Sequence, residues 1–185
     1  IDPATNKVVK TIYVGGSPEE VFLSKYGYIY VVYSYYDVEV FNQDWQKIGT
    51  LNFPNLIESM TFDPYTGLLY VQSFISTAFY SYYALVALNG TKTVQNVSSP
   101  CPSSILSLLV GKKHIYGIIA YHIYEINASN LSSYENISVP ISILPFDVAT
   151  YANGAIYEYT CEFPPDTNIW VIYTNGSARF LAHLG

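Results

Sequence analysis

Four segments of the chain share one pattern, in which a tight turn leads into a strand that carries a tyrosine. The segments are residues 27–30, 67–70, 113–116 and 154–157, and their tyrosines lie 40, 46 and 41 residues apart. A period in the forties, with strand-like sequence between the copies, is typical of a β-propeller with one four-stranded blade per repeat. The sequence therefore predicts an all-β fold, a β-propeller of four-stranded antiparallel blades.

The repeat also divides the chain into blades. We expect a first blade over residues 15–53, a second over 54–99, a third over 100–140 and a fourth over 141–185, with residues 1–14 forming the end of a preceding blade. Since Gly185 aligns with Gly15, the pattern predicts one propeller domain of about four blades plus a remnant, as part of a larger ring. A closed four-bladed ring is the alternative, and it would leave the first strands surplus.

The composition limits the classes of function. Charged residues make up 12% of the chain and the formal net charge is −6. A nucleic-acid interface needs a stripe of basic side chains, whereas the 8 basic residues are scattered apart from the Lys112-Lys113 pair, so no nucleic-acid partner is expected. No apolar run approaches the roughly 20 residues that span a bilayer, so no transmembrane segment is expected in this chain.

The beginning of the chain carries a more specific signal. It reads IDPATNKVVKTIYVGGSPEEVFLS, with GYIYVV shortly after. This sequence resembles the YVTN-type β-propeller repeat, a module frequent in archaeal and bacterial surface and secreted proteins. The resemblance covers residues 1–51. The later repeats keep the spacing but not the residue pattern, and the third has Lys113 in place of the turn glycine. It implies a propeller fold and an extracellular or cell-surface location, and it carries no catalytic residues.

The chain is rich in acceptor motifs for N-glycosylation. Six Asn-X-Ser/Thr triplets occur, at Asn89, Asn96, Asn127, Asn130, Asn136 and Asn175. About two would be expected by chance from the numbers of asparagine, serine and threonine. All six fall in the turn before the outer strand of a blade, or on that strand, where a glycan can project without disturbing packing. We expect covalent N-glycans at these sites; the alternative is that asparagine, serine and threonine simply favour turns.

The two cysteines fit the same setting. Cys101 lies in the turn that leads into the third repeat, and Cys161 lies between the second and third strands of the fourth. In four-stranded blades these two kinds of loop emerge on the same face, and the two blades are neighbours. A disulfide between Cys101 and Cys161 is therefore expected in an oxidising compartment, with two independent buried thiols as the alternative. The spacing fits no zinc site.

Catalytic patterns are missing from the sequence. The three histidines are not at ligand spacing, and no nucleophile elbow, phosphate-binding glycine loop or haem motif occurs. Glu58 and Asp147 are the acids on predicted inner strands, and we interpret them as structural carboxylates. The sequence therefore predicts no enzyme, no metal and no cofactor.

Tyrosine-rich loops offer a candidate binding surface. The loop between the second and third strands reads YSYYD at residues 33–37 in the first blade and FYSYY at residues 79–83 in the second. Tyrosine and serine together suit recognition, because the rings are large and amphipathic and the hydroxyls are adaptable. We expect Tyr35, Tyr36, Tyr82 and Tyr83 to contact a carbohydrate or a surface protein. The alternative is that these rings pack between blades.

Three functions follow from these observations. The first is a non-catalytic, N-glycosylated cell-surface or secreted propeller that acts in binding, adhesion or the assembly of an extracellular envelope or filament. The second is an extracytoplasmic propeller enzyme, lactonase-like or quinoprotein-like, with its site on blades outside this sequence; a bound metal or cofactor would favour it. The third is a cytoplasmic scaffold, which N-glycans or a disulfide would exclude.

Overall fold

The structure is a computed structural model that describes residues 2, 4–33, 37–53, 56–79, 81–98, 107–119, 122–138, 148–161 and 167–184. Within these residues, sixteen strands form four antiparallel sheets of four strands, each in sequential order, which confirms the predicted fold class. We call the sheets blades 1 to 4. No helix among the described residues is long and apolar enough to cross a membrane.

The strands of the first two blades have the following bounds. Blade 1 comprises β1 (Glu20–Leu23), β2 (Ile29–Val32), β3 (Asp37–Phe41) and β4 (Lys47–Asn52). Blade 2 comprises β5 (Ile57–Phe62), β6 (Leu69–Ser76), β7 (Ser81–Asn89) and β8 (Lys92–Ser98).

Blades 3 and 4 repeat this arrangement. Blade 3 comprises β9 (Ser107–Val110), β10 (His114–Ile119), β11 (His122–Asn127) and β12 (Tyr134–Ser138). Blade 4 comprises β13 (Val148–Ala152), β14 (Ala155–Cys161), β15 (Thr167–Tyr173) and β16 (Ala178–Leu184). The first strands β5 and β13 both contact β9, so the first strands of blades 2 to 4 lie side by side and the fourth strands are outermost.

The hydrophobic core lies between blades rather than inside one. Tyr30, Val38 and Val40 of blade 1 pack against Leu69 and Val86 of blade 2. Similar clusters join blade 2 to blade 3 and blade 3 to blade 4. Because each blade has an apolar face that needs a neighbour, the free energy of burial holds the blades together.

The segment before blade 1 packs in a similar way. Ile12 and Val14 lie on the face of blade 1 formed by Ile29, Val31 and Phe41. Leu51, on the outer strand β4, lies in the corresponding manner on the core between blades 1 and 2. The segment therefore occupies the place of an outer strand, and most of the Tyr13 side chain faces solvent.

The repeated turns use two kinds of backbone chemistry. Gly27 and Gly67 have φ angles of 80° and 77°, a left-handed conformation that favours glycine. In blade 4 both Asn153 and Gly154 have positive φ, as the two-residue hairpin predicted from Asn-Gly requires. Blade 3 makes its turn through Lys112 and Lys113, closed by a hydrogen bond from the Gly111 amide to the His114 carbonyl.

The repeated tyrosine joins each blade to the next. The hydroxyl oxygen of Tyr30, on β2, accepts a hydrogen bond from the amide of Gly90, in the turn between β7 and β8. The hydroxyl of Tyr70, on β6, donates to the carbonyl of Ala128, in the corresponding turn of blade 3. We call these contacts the tyrosine bridges. They give the repeated tyrosine a structural role in blades 1 and 2.

The blade 3 tyrosine behaves differently. Its hydroxyl donates to Oε1 of Glu125 in the same blade, at 2.9 Å. The ring of Tyr116 stacks on that of Tyr151 in blade 4, with the centroids 5.1 Å apart. The stacked ring of Tyr116 therefore makes contact with the next blade.

The second-to-third-strand connection of blade 2 corrects a sequence-based expectation. Tyr82 and Tyr83 were expected in a loop, but both lie on β7, where they pair with Ile75 and Phe74 of β6. The rings of Phe74 and Tyr83 lie 5.3 Å apart. Aromatic and β-branched side chains favour cross-strand pairs, so the two strands extend further than the turn signals suggest.

Candidate functional site: an interblade groove

A groove of about 340 Å³ lies between the outer strand of blade 1 and the facing surface of blade 2. We call it the interblade groove. Its apolar lining consists of Leu51, Phe53, Ile75, Ala84, Val86 and Leu88. Its polar lining consists of Thr50, Asn52, Ser73, Tyr82, Thr93 and Asn96. The lining thus mixes six apolar with six polar residues, so it can contact both apolar and polar groups of a ligand.

The register of blade 2 explains why these side chains share one surface. Val86 is opposite Asn96 on β8, and Ala84 is opposite Ser73 on β6. Residues directly opposite each other in an antiparallel pair project to the same face, and so do residues two apart along a strand. Tyr82, Ala84 and Val86 therefore form a row along β7, with Tyr82 at one end.

Tyr82 supplies one of the two aromatic rings that line the groove, the other being that of Phe53. The Tyr82 side chain is 38% exposed, so one part of the ring packs while another part remains accessible. Tyr83 belongs to the opposite face of β7 and is half-buried against Phe74. Of the four tyrosines expected to bind, the structure thus places Tyr82 in the groove and Tyr83 outside it. Tyr35 and Tyr36 lie outside the described residues.

The outer strand of blade 1 adds a backbone edge to the groove. β4 pairs with β3 on one side and is the last strand of its sheet. Such an edge presents peptide groups that can pair with an added strand. The groove therefore combines an apolar surface, a tyrosine and a strand edge.

The glycosylation motifs divide into two groups by accessibility. Asn96, Asn130, Asn136 and Asn175 are exposed, and Asn127 is half-buried. Asn89 differs, because its Oδ1 atom is buried without a hydrogen-bond partner in the described structure. Asn89 and Asn127, both half-buried, are thus less accessible than the other four predicted sites.

Two of the motifs have the same local geometry. Oδ1 of Asn127 accepts hydrogen bonds from the amide and the hydroxyl of Ser129, at 2.9 and 2.7 Å. Oδ1 of Asn175 accepts the equivalent pair from Ser177, at 3.0 and 2.6 Å. In both, a side chain closes the turn and the serine of the motif is oriented toward its asparagine.

The expected disulfide falls at the limit of the described structure. Cys101 lies outside the described residues. Cys161 is the last residue of β14, and its side chain is not among those described. The disulfide therefore stays a prediction from the sequence.

The ionisable groups do not gather into a catalytic cluster in the described part of the chain. Glu58 is half-buried on β5, and Asp147 lies outside the described residues. His114 Nδ1 lies 2.9 Å from Oε1 of Glu125, the same oxygen that accepts from Tyr116. Among the described residues, no group of three histidine, cysteine or acidic side chains could hold a metal ion.

Burial changes the pKa of tyrosine hydroxyls at the blade interfaces. The pKa of Tyr30 and that of Tyr70 are raised, chiefly because burial disfavours the phenolate. Burial likewise raises the pKa of Tyr116, and the hydrogen bond to Glu125 raises it further. These hydroxyls stay protonated and serve as structural hydrogen-bonding groups.

Solved structures of other proteins share the fold. Hydrazine synthase of Kuenenia stuttgartiensis matches with a TM-score of 0.64 at 12% identity, over 95% of this chain and 53% of that chain. A chain of a nidogen/laminin complex matches with a TM-score of 0.63 at 13% identity, over 91% and 64% respectively. The extracellular domain assigned to a hybrid two-component system of B. thetaiotaomicron matches with a TM-score of 0.60 at 13% identity, over 87% and 23%.

These structural neighbours are β-propeller-like proteins, and likenesses at such identities establish the fold alone. This chain spans less than two thirds of the length of each. No protein-family model and no curated protein sequence matches the chain.

Sequence reasoning missed the groove, although it found one of its residues. The groove is formed where two blades meet, between β4 and β7, whose residues are far apart in the sequence. A usable signal was the continuous apolar run at residues 84–88 of β7, because Ala84, Val86 and Leu88 of that run project to one face.

Proposed function

We propose that this chain is part of an extracellular, N-glycosylated and non-catalytic β-propeller of the YVTN type that binds a partner protein. In this proposal the interblade groove takes up an extended segment of the partner, with Tyr82 as the aromatic contact. The groove is the observation that carries the proposal, because it joins an apolar surface to β4, the last strand of its sheet among the described residues. An extended peptide can pair with such an edge while its alternate side chains enter the apolar surface.

The structural neighbours support this choice of partner. One of them belongs to a complex between nidogen and laminin, and another is an extracellular domain. The excess of glycosylation motifs and the expected disulfide of Cys101 and Cys161 agree with an extracellular protein. A protein partner is favoured over a carbohydrate for the groove, because a strand edge beside an apolar surface suits an extended peptide.

The test uses a display library of twelve-residue peptides selected on the protein made without N-glycans. Selected peptides should lose at least tenfold in affinity on Asn96→Arg, because the larger side chain fills the groove, and on Tyr82→Ser. Asn136→Arg is the matched control, since Asn136 is exposed on β12 of blade 3 and pairs with Tyr124 as Asn96 pairs with Val86. Affinity is measured by biolayer interferometry, and thermal unfolding verifies that each variant folds.

Two results would contradict the proposal. Peptides that bind Asn96→Arg and Tyr82→Ser as well as they bind the unmodified protein would place the contact elsewhere. Binding of neutral oligosaccharides that depends on Tyr82, with no peptide selected, would replace the protein partner with a carbohydrate.

A further inference from the structure

A second pocket lies between blades 2 and 3, at the end of the blades that carries the turn motifs Asn127 and Asn175. Its volume is about 440 Å³. Blade 2 contributes Thr66, Leu68 and Gln95, and blade 3 contributes two turns, residues 112–114 and residues 127–129. We call it the lysine pocket. It is separate from the interblade groove and shares none of the groove's residues.

The basic side chains at this pocket are opposite in sign to the net charge of the whole chain. The protein has a net charge of −6, yet its one pair of adjacent basic residues, Lys112 and Lys113, lines the pocket together with His114. Both lysine side chains are exposed, and neither takes part in an ion pair within the described structure. Two uncompensated ammonium groups at one turn attract an anion.

The acidic groups nearby are already engaged. Glu125 accepts hydrogen bonds from Tyr116 and interacts with Nδ1 of His114. Asp63, buried behind the pocket, accepts from the hydroxyl of Thr66 and the amide of Tyr65. Neither carboxylate is paired with Lys112 or Lys113 in the described structure, so the lysine charges remain available for a ligand.

The walls of the pocket are fixed by hydrogen bonds between the two blades. Oε1 of Gln95 accepts from the amide of Leu131 at 3.0 Å, and its Nε2 donates to the carbonyl of Ala128 at 3.3 Å. The amide of Ala128 donates to the carbonyl of Lys113 at 3.1 Å, which ties the two turns of blade 3 together. A pocket held this way is preorganised, and binding then costs less entropy.

The size and lining select the kind of anion. The pocket is far larger than one phosphate or sulfate ion, and it falls in the range of small-molecule sites. Leu68 and Ala128 supply an apolar surface, while Thr66, Asn127 and Ser129 supply hydroxyl and amide groups. An acidic sugar matches all three features, because it has an apolar C–H face, several hydroxyls and a carboxylate or sulfate.

We infer that the lysine pocket binds an acidic saccharide, with Lys112 and Lys113 holding the anionic group. The inference does not depend on the proposed role of the interblade groove. It assigns a second, chemically different site on the same propeller.

The test is calorimetric titration with oligogalacturonate, using protein made without N-glycans because Asn127 lines the pocket. Binding should weaken at least tenfold in Lys112→Gln/Lys113→Gln and should be retained in Lys112→Arg/Lys113→Arg. Lys7→Gln/Lys92→Gln removes the same charge from exposed lysines elsewhere and should leave binding unchanged. Circular dichroism melts establish that all variants are folded.

Three outcomes would overturn the inference. The first is no binding of oligogalacturonate or of a sulfated oligosaccharide of equal length. The second is equal affinity for a neutral oligosaccharide of equal length, which would remove the role of the charge. The third is equal affinity for inorganic sulfate alone, which would reduce the pocket to an anion site without recognition of a sugar.

Discussion

The hydroxyl oxygen of Tyr30 lies 2.6 Å from the backbone nitrogen of Gly90 and accepts its hydrogen bond, although 60 residues separate the two in the chain. Tyr30 is fully buried and Gly90 is also buried, so no solvent replaces this contact. The bond connects the second strand of blade 1 to the last turn of blade 2. It is the stronger of the two tyrosine bridges, since the bond from Tyr70 to Ala128 measures 3.5 Å.

Replacing Tyr30 with phenylalanine should lower the free energy of unfolding by about 1–2 kcal/mol, because the buried amide of Gly90 loses its acceptor. Tyr70→Phe should cost less, since its bond is long. Tyr13→Phe is the control, because that side chain is almost fully exposed and its change should stay within about 0.5 kcal/mol. Urea unfolding followed by fluorescence measures the free energy of unfolding of all three variants. A Tyr30→Phe variant as stable as the control would mean that the hydrogen bond between Tyr30 and Gly90 does not stabilise the fold.

The raised pKa values of Tyr30, Tyr70 and Tyr116 predict a loss of stability in alkali. The folded protein holds these protons more tightly than the unfolded chain, whose tyrosines have a pKa of about 10. Their stabilising contribution is therefore complete below about pH 10 and declines as the pH rises above it. Absorbance at 295 nm should report fewer phenolates than the 20 tyrosines until the protein unfolds.

Tyr116→Phe provides the matched test of this pH effect. The variant should show a shallower fall of unfolding free energy between pH 10 and pH 11.5 than the unmodified protein. Identical slopes would mean that Tyr116 ionises normally in the folded state.

The accessibility of the glycosylation motifs predicts which of them carry sugar. Asn175 should be occupied, since it is exposed and its turn presents Ser177 beside it. Asn89 should remain unmodified, because the residue is half-buried and its Oδ1 atom is buried. Glycopeptide mass spectrometry of protein from a glycosylating host measures occupancy at each motif. Sugar on Asn89 with none on Asn175 would contradict this order.

The disulfide expected from the sequence can be tested by peptide mapping without reductant. A linked pair of peptides containing Cys101 and Cys161 should appear, and reduction should lower the free energy of unfolding by about 2–4 kcal/mol. The double variant Cys101→Ala/Cys161→Ala should be insensitive to reductant. Two alkylated cysteines in freshly folded protein would end this prediction.

A glycan on Asn96 should interfere with the interblade groove, because this residue lines it. In a glycosylating host, Asn96→Gln should bind the selected peptides several-fold more tightly than the glycosylated unmodified protein. Asn136→Gln removes the equivalent motif from blade 3 and should have no effect. Equal binding by all three proteins would mean that any sugar on Asn96 points away from the groove.

The repeat predicted the blades because each of its parts reports a local property. Alternating side chains and Asn-Gly turns depend on neighbouring residues, and so Asn153 and Gly154 adopt the hairpin that their sequence suggests. Tyr82 and Tyr83 were misplaced because no glycine or proline marks where β7 begins, and pairing with Phe74 and Ile75 extends the strand.

The sites were harder to predict because they form between blades. The interblade groove and the lysine pocket each combine residues from two sheets, and no local pattern specifies how those sheets face each other. The Lys112-Lys113 pair was visible in the sequence as an isolated basic dipeptide. The structure shows in addition that this pair lines a pocket, whose walls are fixed by the hydrogen bond between Gln95 and Ala128.

The tyrosine bridges give the propeller a polarity. Each reaches from the second strand of one blade to the final turn of the following blade, and the described contacts of this kind both point toward the C-terminus. Loss of one blade would thus remove the tyrosine hydrogen bond to the final turn of the following blade, whereas the final turn of the preceding blade would keep its own bond. Because the turn in the following blade carries a glycosylation motif, Asn89 in blade 2 and Asn127 in blade 3, damage to one blade would be transmitted in one direction, to the turn that carries this motif in its successor.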